Sequence, residues 1–288
     1  MSPKPSLRAL SRAAVLALIL TATGSLAAPA SAQTPLERGR YLMNSIVACG
    51  NCHTPIGPQG PVAGRELAGR LMADEPPFTA YAGNITPDPE TGIGRWTDDQ
   101  IVAAIREGRR PDGSIIGPPM PIELYRDMAD EDVRAIVAYL RAVPAVRNAV
   151  PRSVYRIPLP PSYGPPVGRV TAPAPAQRVA YGAYLAGPLG HCTECHSARL
   201  PNGTPDFGNG LGAGGMQFNG PWGVSHAANL TPTGLSRWSD DQVKAMITQG
   251  VRPDGSRMLP PMAYGFYRNI SAGDLDAIVA YLRSLPPK

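Results

Sequence analysis

The chain predicts an all-α, loop-rich fold of two tandem units joined by a proline-rich linker, and three observations carry that prediction. A five-residue motif, Cys49-Gly50-Asn51-Cys52-His53, recurs as Cys192-Thr193-Glu194-Cys195-His196, and the two copies use all four cysteines. The segment from Arg95 to Pro144 matches Arg237 to Pro286 at a constant offset of 142 without a gap, with slightly more than half the positions identical. Periodic apolar spacing is helical, and between the periodic segments the chain is rich in Gly and Pro, 31 and 34 of 288 residues.

C-x-x-C-H is the attachment pattern of a c-type haem: two thiols add across the vinyl groups and the adjacent histidine ligates the iron. A thioredoxin-like pair would need a βαβ context, and no β-branched parallel-strand runs flank either copy. A zinc site would bring its two pairs far closer than these stand in sequence, and the histidines would be idle. A disulfide across C-x-x-C closes too small a loop to stabilise much. The expected cofactors are therefore two covalently bound haem c groups, on Cys49, Cys52, Cys192 and Cys195, with His53 and His196 as iron ligands.

Residues 1–32 read as a secretory signal peptide: Lys4, Arg8 and Arg12 form a basic start, Ala13 to Thr23 is apolar but too short to span a bilayer, and Ala30-Ser31-Ala32 is a small-residue cleavage site. Export to the periplasm agrees with haem attachment outside the cytoplasm. The net charge of +5 includes three signal charges, so the mature chain is left near +2 before the haem propionates are counted. Nothing supports a nucleic-acid partner. No other apolar stretch has transmembrane length, and the mature protein is expected to be soluble.

The expected boundaries are a first unit over 33–144, a linker over 145–176 and a second unit over 177–288. A helix is expected over Pro35 to Ala48, where Leu36, Arg40, Met43 and Val47 follow helical spacing. Thr97-Asp98-Asp99-Gln100 and Ser239-Asp240-Asp241-Gln242 are capping boxes opening a second helix in each copy, which stops at Gly108 or Gly250 before a Pro-Asp-Gly turn. A last helix carries Val133, Ile136, Val137 and Leu140, matched by Leu275, Ile278, Val279 and Leu282. A unit of about 115 residues with so little regular structure buries a meagre core, and a haem supplies the missing apolar body, as in a cytochrome c domain. The linker holds nine prolines when Pro144 is included, yet Val150, Val154, Tyr155, Ile157 and Leu159 make it too apolar for a free tether, so it is expected to drape over both units.

The second axial ligand of a cytochrome c iron is a methionine thioether from a loop before the last helix. Met120 in Gly117-Pro118-Pro119-Met120 and Met262 in Leu259-Pro260-Pro261-Met262 occupy matching positions. The ordinary role of a methionine is core packing, and Met72 and Met216 are rivals that lack shared flanks. Trp96 and Trp238 are candidate donors to haem propionates, with Arg95, Arg110, Arg237 and Arg252 nearby to balance charge; the alternative is simple packing and solvation. His191 and His226 read as surface or supporting residues.

These residues together, Cys-x-x-Cys-His, Asn84-Ile85-Thr86-Pro87-Asp88, Gly92-Ile93-Gly94-Arg95-Trp96, Pro119-Met120-Pro121 and a closing Tyr-Leu helix, resemble the cytochrome c subunits of periplasmic dehydrogenases, such as those of alcohol and gluconate dehydrogenases and those paired with molybdenum hydroxylases. The resemblance covers residues 35 to 286. It implies an electron carrier with His/Met haems, receiving electrons from a dehydrogenase and passing them to a cytochrome or oxidase, with room for peripheral membrane association. The chain departs from those subunits in having two haem motifs where many have three and in lacking a C-terminal membrane-binding tail. The alternative is a dihaem redox enzyme such as a cytochrome c peroxidase, which needs an iron with an open or displaceable ligand.

Overall fold

The computed structural model describes residues 33–288, so the signal peptide expected over 1–32 lies outside the described residues. The first repeat runs α1 (Pro35–Asn44), α2 (Gly50–His53), the two-residue strands β1 (Ile56–Gly57) and β2 (Gly60–Pro61), the hairpin β3 (Arg70–Glu75) and β4 (Phe78–Ala82), then α3 (Asp98–Arg106), α4 (Ile122–Tyr125) and α5 (Asp130–Ala142). The connector contributes β5 (Val154–Tyr155). The second repeat runs α6 (Arg178–Tyr184), a π-helical turn (Leu185–Leu189), α7 (Cys192–Cys195), the hairpin β6 (Gln217–Gly220) and β7 (Gly223–His226), α8 (Pro232–Leu235), α9 (Asp240–Gln249), α10 (Tyr264–Tyr267) and α11 (Ala272–Ser284).

The all-α expectation is overturned. Helix accounts for 34% and strand for 12%, the strands forming three small antiparallel sheets, β1–β2, β3–β4–β5 and β6–β7. Each strand has six residues or fewer, β3 contains no β-branched residue, and β4 is completed by a strand far along the chain, Phe78 opposite Tyr155. Local periodicity carries no trace of such non-local pairing. The first helix also ends earlier than expected, at Asn44, because Ser45 leaves helical geometry and the chain turns through Ala48 into the motif.

The expected capping boxes form. Gln100 N–H donates to Thr97 Oγ1 at 3.2 Å while Thr97 N–H donates to Gln100 Oε1 at 2.8 Å, and Ser239 and Gln242 repeat this at 3.2 and 2.9 Å. The glycines that stop these helices, Gly108 and Gly250, adopt the left-handed φ of 64° and 65°.

The first and last helices of each repeat cross in contact, and the crossing point is a glycine. A Cβ on Gly39 would stand 1.9 Å from the Ala135 carbonyl oxygen, and one on Gly182 would stand 1.9 Å from that of Ala277. That close approach lets Leu42, Ile46, Val133 and Ile136 pack without solvent in the first repeat, and Leu185, Leu189, Ile278 and Val279 do the same in the second. Each such side chain contributes about 1.5–3 kcal/mol by leaving water.

Residues 33–288 pack as one body. Contrary to the expected drape over both units, the connector's hydrogen bonds from Val146 to Val170 run to the first repeat among the described residues. Asn148 Nδ2 donates to the Ala68 carbonyl at 2.8 Å, Arg156 Nε to that of Pro76 at 2.7 Å, Tyr163 Oη to that of Ile116 at 2.9 Å, and buried Arg106 donates to the Gly168 carbonyl at 3.1 Å. The repeats meet each other directly instead, motif against motif.

Candidate cofactor site

Each Cys-x-x-Cys-His segment is a single helical turn entered through a residue in the left-handed region, Ala48 at φ 49° and His191 at φ 40°. A non-glycine residue there costs of order 1–3 kcal/mol, so the surrounding packing must hold the turn in place. Cysteines three apart on one turn share a face. All four are free thiols. Burial pushes the thiols of Cys49 and Cys195 up to about 12 and that of Cys192 up to about 11, and raises Cys52 as well, so they stay protonated rather than poised as thiolates. Among the described residues no three His, Cys, Asp or Glu side chains converge as a metal cluster, which removes the geometry a four-thiolate zinc site needs.

The two imidazoles are held identically. His53 Nδ1 lies 2.7 Å from the Gly83 carbonyl oxygen and His196 Nδ1 lies 2.7 Å from that of Ala228. A carbonyl only accepts, so Nδ1 carries the proton and Nε2 keeps its lone pair, the tautomer an imidazole ligand to iron requires. Burial lowers both pKa values, against the carbonyl bond, which raises them, and keeps the rings neutral.

Both motifs face one cavity of about 1080 Å³. Its walls are largely aliphatic, with Ile46, Ile93 and Ile101 from the first repeat and Leu235, Val243 and Ile278 from the second. Met120 and Met262 also line it, each after a cis Pro-Pro bond, Pro118–Pro119 and Pro260–Pro261. Trp96 and Trp238 line it from loops tied to the last helix of their repeat: Arg141 donates to the Trp96 carbonyl, and Arg283 to that of Trp238 at 2.5 Å. A largely apolar chamber with four thiols, the neutral imidazoles of His53 and His196 and the thioethers of Met120 and Met262 among its lining fits covalent haem.

Not every expected residue reaches the chamber. Arg95 is exposed and off the wall, because it stands on the outer side of the turn before α3. Its repeat partner Arg237 does line the wall, stacked 4.5 Å over the Trp238 ring. Arg110 and Arg252 both line it. Met72 and Met216 reach the wall with their sulfurs approached by guanidinium groups, Arg70 at 3.3 Å in the first case and Arg199 in the second. His226 is an exposed residue of β7 and His191 packs edge-on against the Tyr125 ring at 6.0 Å, 3.4 Å from Glu194; both also border the chamber.

Sequence reasoning missed the closeness of the two motifs. A Cβ on Gly50 would meet the Phe266 ring at 2.9 Å, and one on Gly190 would meet Ile46 at 3.0 Å. Tyr125 and Tyr267 lie between them: burial raises each phenol well above 10, and thiols of both motifs add to the shift at Tyr267. The signal was present, since Tyr-Arg recurs at 125–126 and 267–268 inside the repeat.

No protein-family model matches the chain. A dihaem cytochrome c-type protein of Cereibacter sphaeroides is 32% identical over 83% of this chain and 82% of its own length. A nicotinate dehydrogenase subunit of Pseudomonas putida is 35% identical over 87% of this chain, and the alcohol dehydrogenase (quinone) cytochrome c subunit of Gluconobacter oxydans is 32% identical over 95%. The chain spans only 21% and 59% of those two proteins.

Proposed function

The chain belongs to the dihaem c-type cytochromes, and from that premise we propose that it carries electrons from a periplasmic dehydrogenase to a respiratory cytochrome or oxidase. It binds haem c covalently and transfers electrons rather than transforming a substrate of its own. In this reading there are two haems. Cys49 and Cys52 hold one with His53 and Met120 as iron ligands, and Cys192 and Cys195 hold the other with His196 and Met262. Haem c, when bound, supplies an iron that changes oxidation state by one electron. The protein excludes water with its aliphatic walls, fixes each imidazole through Nδ1, and brings Met120 and Met262 to the same chamber.

The observation that carries the proposal is the pair of Nδ1 hydrogen bonds, 2.7 Å in both repeats, which leaves Nε2 of the histidine next to each pair of half-buried cysteines free to bind iron. The repeated Pro-Pro-Met loops would supply each iron with a second protein ligand, which supports carriage over peroxidase chemistry. No described helix is long and apolar enough to cross a membrane. Dehydrogenase partnership and a periplasmic location are supported by the relatives named for dehydrogenases and by the signal-like residues 1–32.

Intact mass spectrometry and a pyridine haemochrome assay on exported protein should give two covalent haems per chain. Cyanide and carbon monoxide should bind slowly, with no peroxide turnover. One haem or none, or fast ligand binding with peroxide consumption, would overturn the proposal.

A further inference from the structure

Duplication predicts two equal cofactor sites, but the connector adds a strip of wall to the first. Val150, Arg152, Ser153 and Tyr155 all line the chamber. Ser153 Oγ accepts from Tyr81 N–H at 2.9 Å, and Tyr155 Oη donates to the Pro118 carbonyl at 3.0 Å, in the loop that carries Met120. Among the described residues the second repeat has no such strip. Leu259, which replaces Gly117 there, is 44% exposed, whereas Gly117 lies under Tyr155 and Leu159.

Two guanidinium groups converge at this strip. Arg110 Nη1 donates to Ser114 Oγ at 3.3 Å and to the Ile115 carbonyl at 2.9 Å, and Arg152 Nη1 donates to the same Ser114 Oγ at 3.2 Å. Asp112 neutralises one of the pair, 2.5 Å from Arg152 Nη2. The remaining positive charge stands beside a side pocket of about 290 Å³ that shares Arg110, Arg152, Ser153 and Tyr155 with the main chamber. Burial, then the neighbouring Arg152, lowers the pKa of Arg110, as expected for a cation held partly out of water beside another. In the second repeat Arg252 keeps the corresponding bond to Ser256 at 3.1 Å, and Asp254 accepts from the Ser256 N–H with no guanidinium across from it among the described residues.

We infer that the connector is part of the first cofactor site, where Arg152 joins Arg110 in a two-guanidinium seat for a carboxylate edge of the haem held by His53. The inference rests on the haem reading above. Arg152 is a positioning residue. Its charge favours the carboxylate ionised and opposes the extra positive charge of the oxidised iron, so it raises the reduction potential of that haem and leaves the other alone.

The test is spectroelectrochemistry of the full-length holoprotein, with Met120→His marking the wave of the first haem. Arg152→Ala should lower that wave alone, Arg152→Lys should restore most of the loss, and Asp112→Asn should raise it. Loosening of the connector would move both variants in one direction, so the opposite signs separate charge from structure. Unmoved potentials in both variants, equal shifts of both waves, or a shift confined to the second wave would overturn the inference. A haem count below two in the same preparation counts instead against the proposed function, since two haems with unmoved potentials defeat only the connector's role.

Discussion

Tyr41 Oη donates to Asp274 Oδ2 across the repeat boundary at 2.6 Å, and Tyr184 Oη returns the contact to Asp132 Oδ2 at 2.7 Å. Each phenol also accepts the N–H that opens the other repeat's last helix, Ser271 at 3.0 Å and Ala129 at 3.1 Å. The carboxylate sits at the third helical position in each case, so the tyrosine completes from outside the cap that a local side chain usually makes. The same four residues therefore terminate two helices and join two repeats, which fixes the distance between the motifs.

The two contacts are not equal in partners. Asp132 is also held by Arg38, with bonds of 2.7 and 3.1 Å, whereas the only side-chain donor to Asp274 among the described residues is Tyr41. Tyr41→Phe should cost about 2–3 kcal/mol and Tyr184→Phe about 1 kcal/mol, since losing the last partner of a buried carboxylate destabilises more than losing one of three. Denaturant titration of the holoprotein measures both; equal losses would contradict the asymmetry.

Gly39→Ala and Gly182→Ala should each destabilise by about 3 kcal/mol or more, because backbone carbonyls at 1.9 Å must be displaced to admit the methyl group. Gly273→Ala, with open space around its Cβ in α11, should instead stabilise by about 0.5–1 kcal/mol. Thermal unfolding of the three variants gives the comparison.

What was legible in the sequence follows from what repeats. Gly39 and Gly182, the capping pairs and the Pro-Pro-Met loops are doubled, so a role in one copy is checked by the other. The connector is single, and its strand β5, Arg152 and Tyr155 act by contacts with residues some 40 to 75 positions away that no local pattern encodes. Arg95 shows the converse failure: it is doubled, yet only Arg237 stacks on its tryptophan and faces the chamber, because identity of residue does not fix which way a long side chain turns. The sheets were missed for the first reason, since non-local pairing rather than β-propensity builds them.

Stability should fall at alkaline pH. Burial pushes Tyr163 and Tyr264 up to about 12, burial and then Asp274 do the same to Tyr181, and burial followed by Asp132 raises Tyr184 further. A phenol whose pKa is raised by folding contributes stability that is complete below its unfolded value of about 10 and is lost as pH rises from there toward the folded value. Denaturation curves at pH 8 to 11.5 should therefore be level to about pH 10 and decline above it, less steeply in Tyr184→Phe. A level profile to pH 11.5 would refute this.

In the proposed reading Met262 and His226 are the two candidates for the distal ligand of the second haem, and the course of β7 favours Met262. Ser225 Oγ donates to the Pro260 carbonyl at 2.7 Å, so that side chain points at the Pro-Pro-Met loop. Successive residues of a strand point to opposite faces, so His226 does not share the Ser225 contact with that loop and is exposed, although it too borders the chamber. Two residues on, the Ala228 carbonyl holds His196, so this strand end belongs to the support of the proximal imidazole. Tyr81 stands at the corresponding place in β4, two residues before Gly83, whose carbonyl holds His53, and a phenol there has the same supporting position. Met262 keeps the Pro-Pro-Met context of Met120 and a place on the chamber wall. Met262→Ala should abolish the weak red absorption band of one haem and lower one potential substantially, while His226→Ala leaves both waves and the band in place. The reverse pattern in spectroelectrochemistry would make the second haem a bis-histidine, low-potential centre.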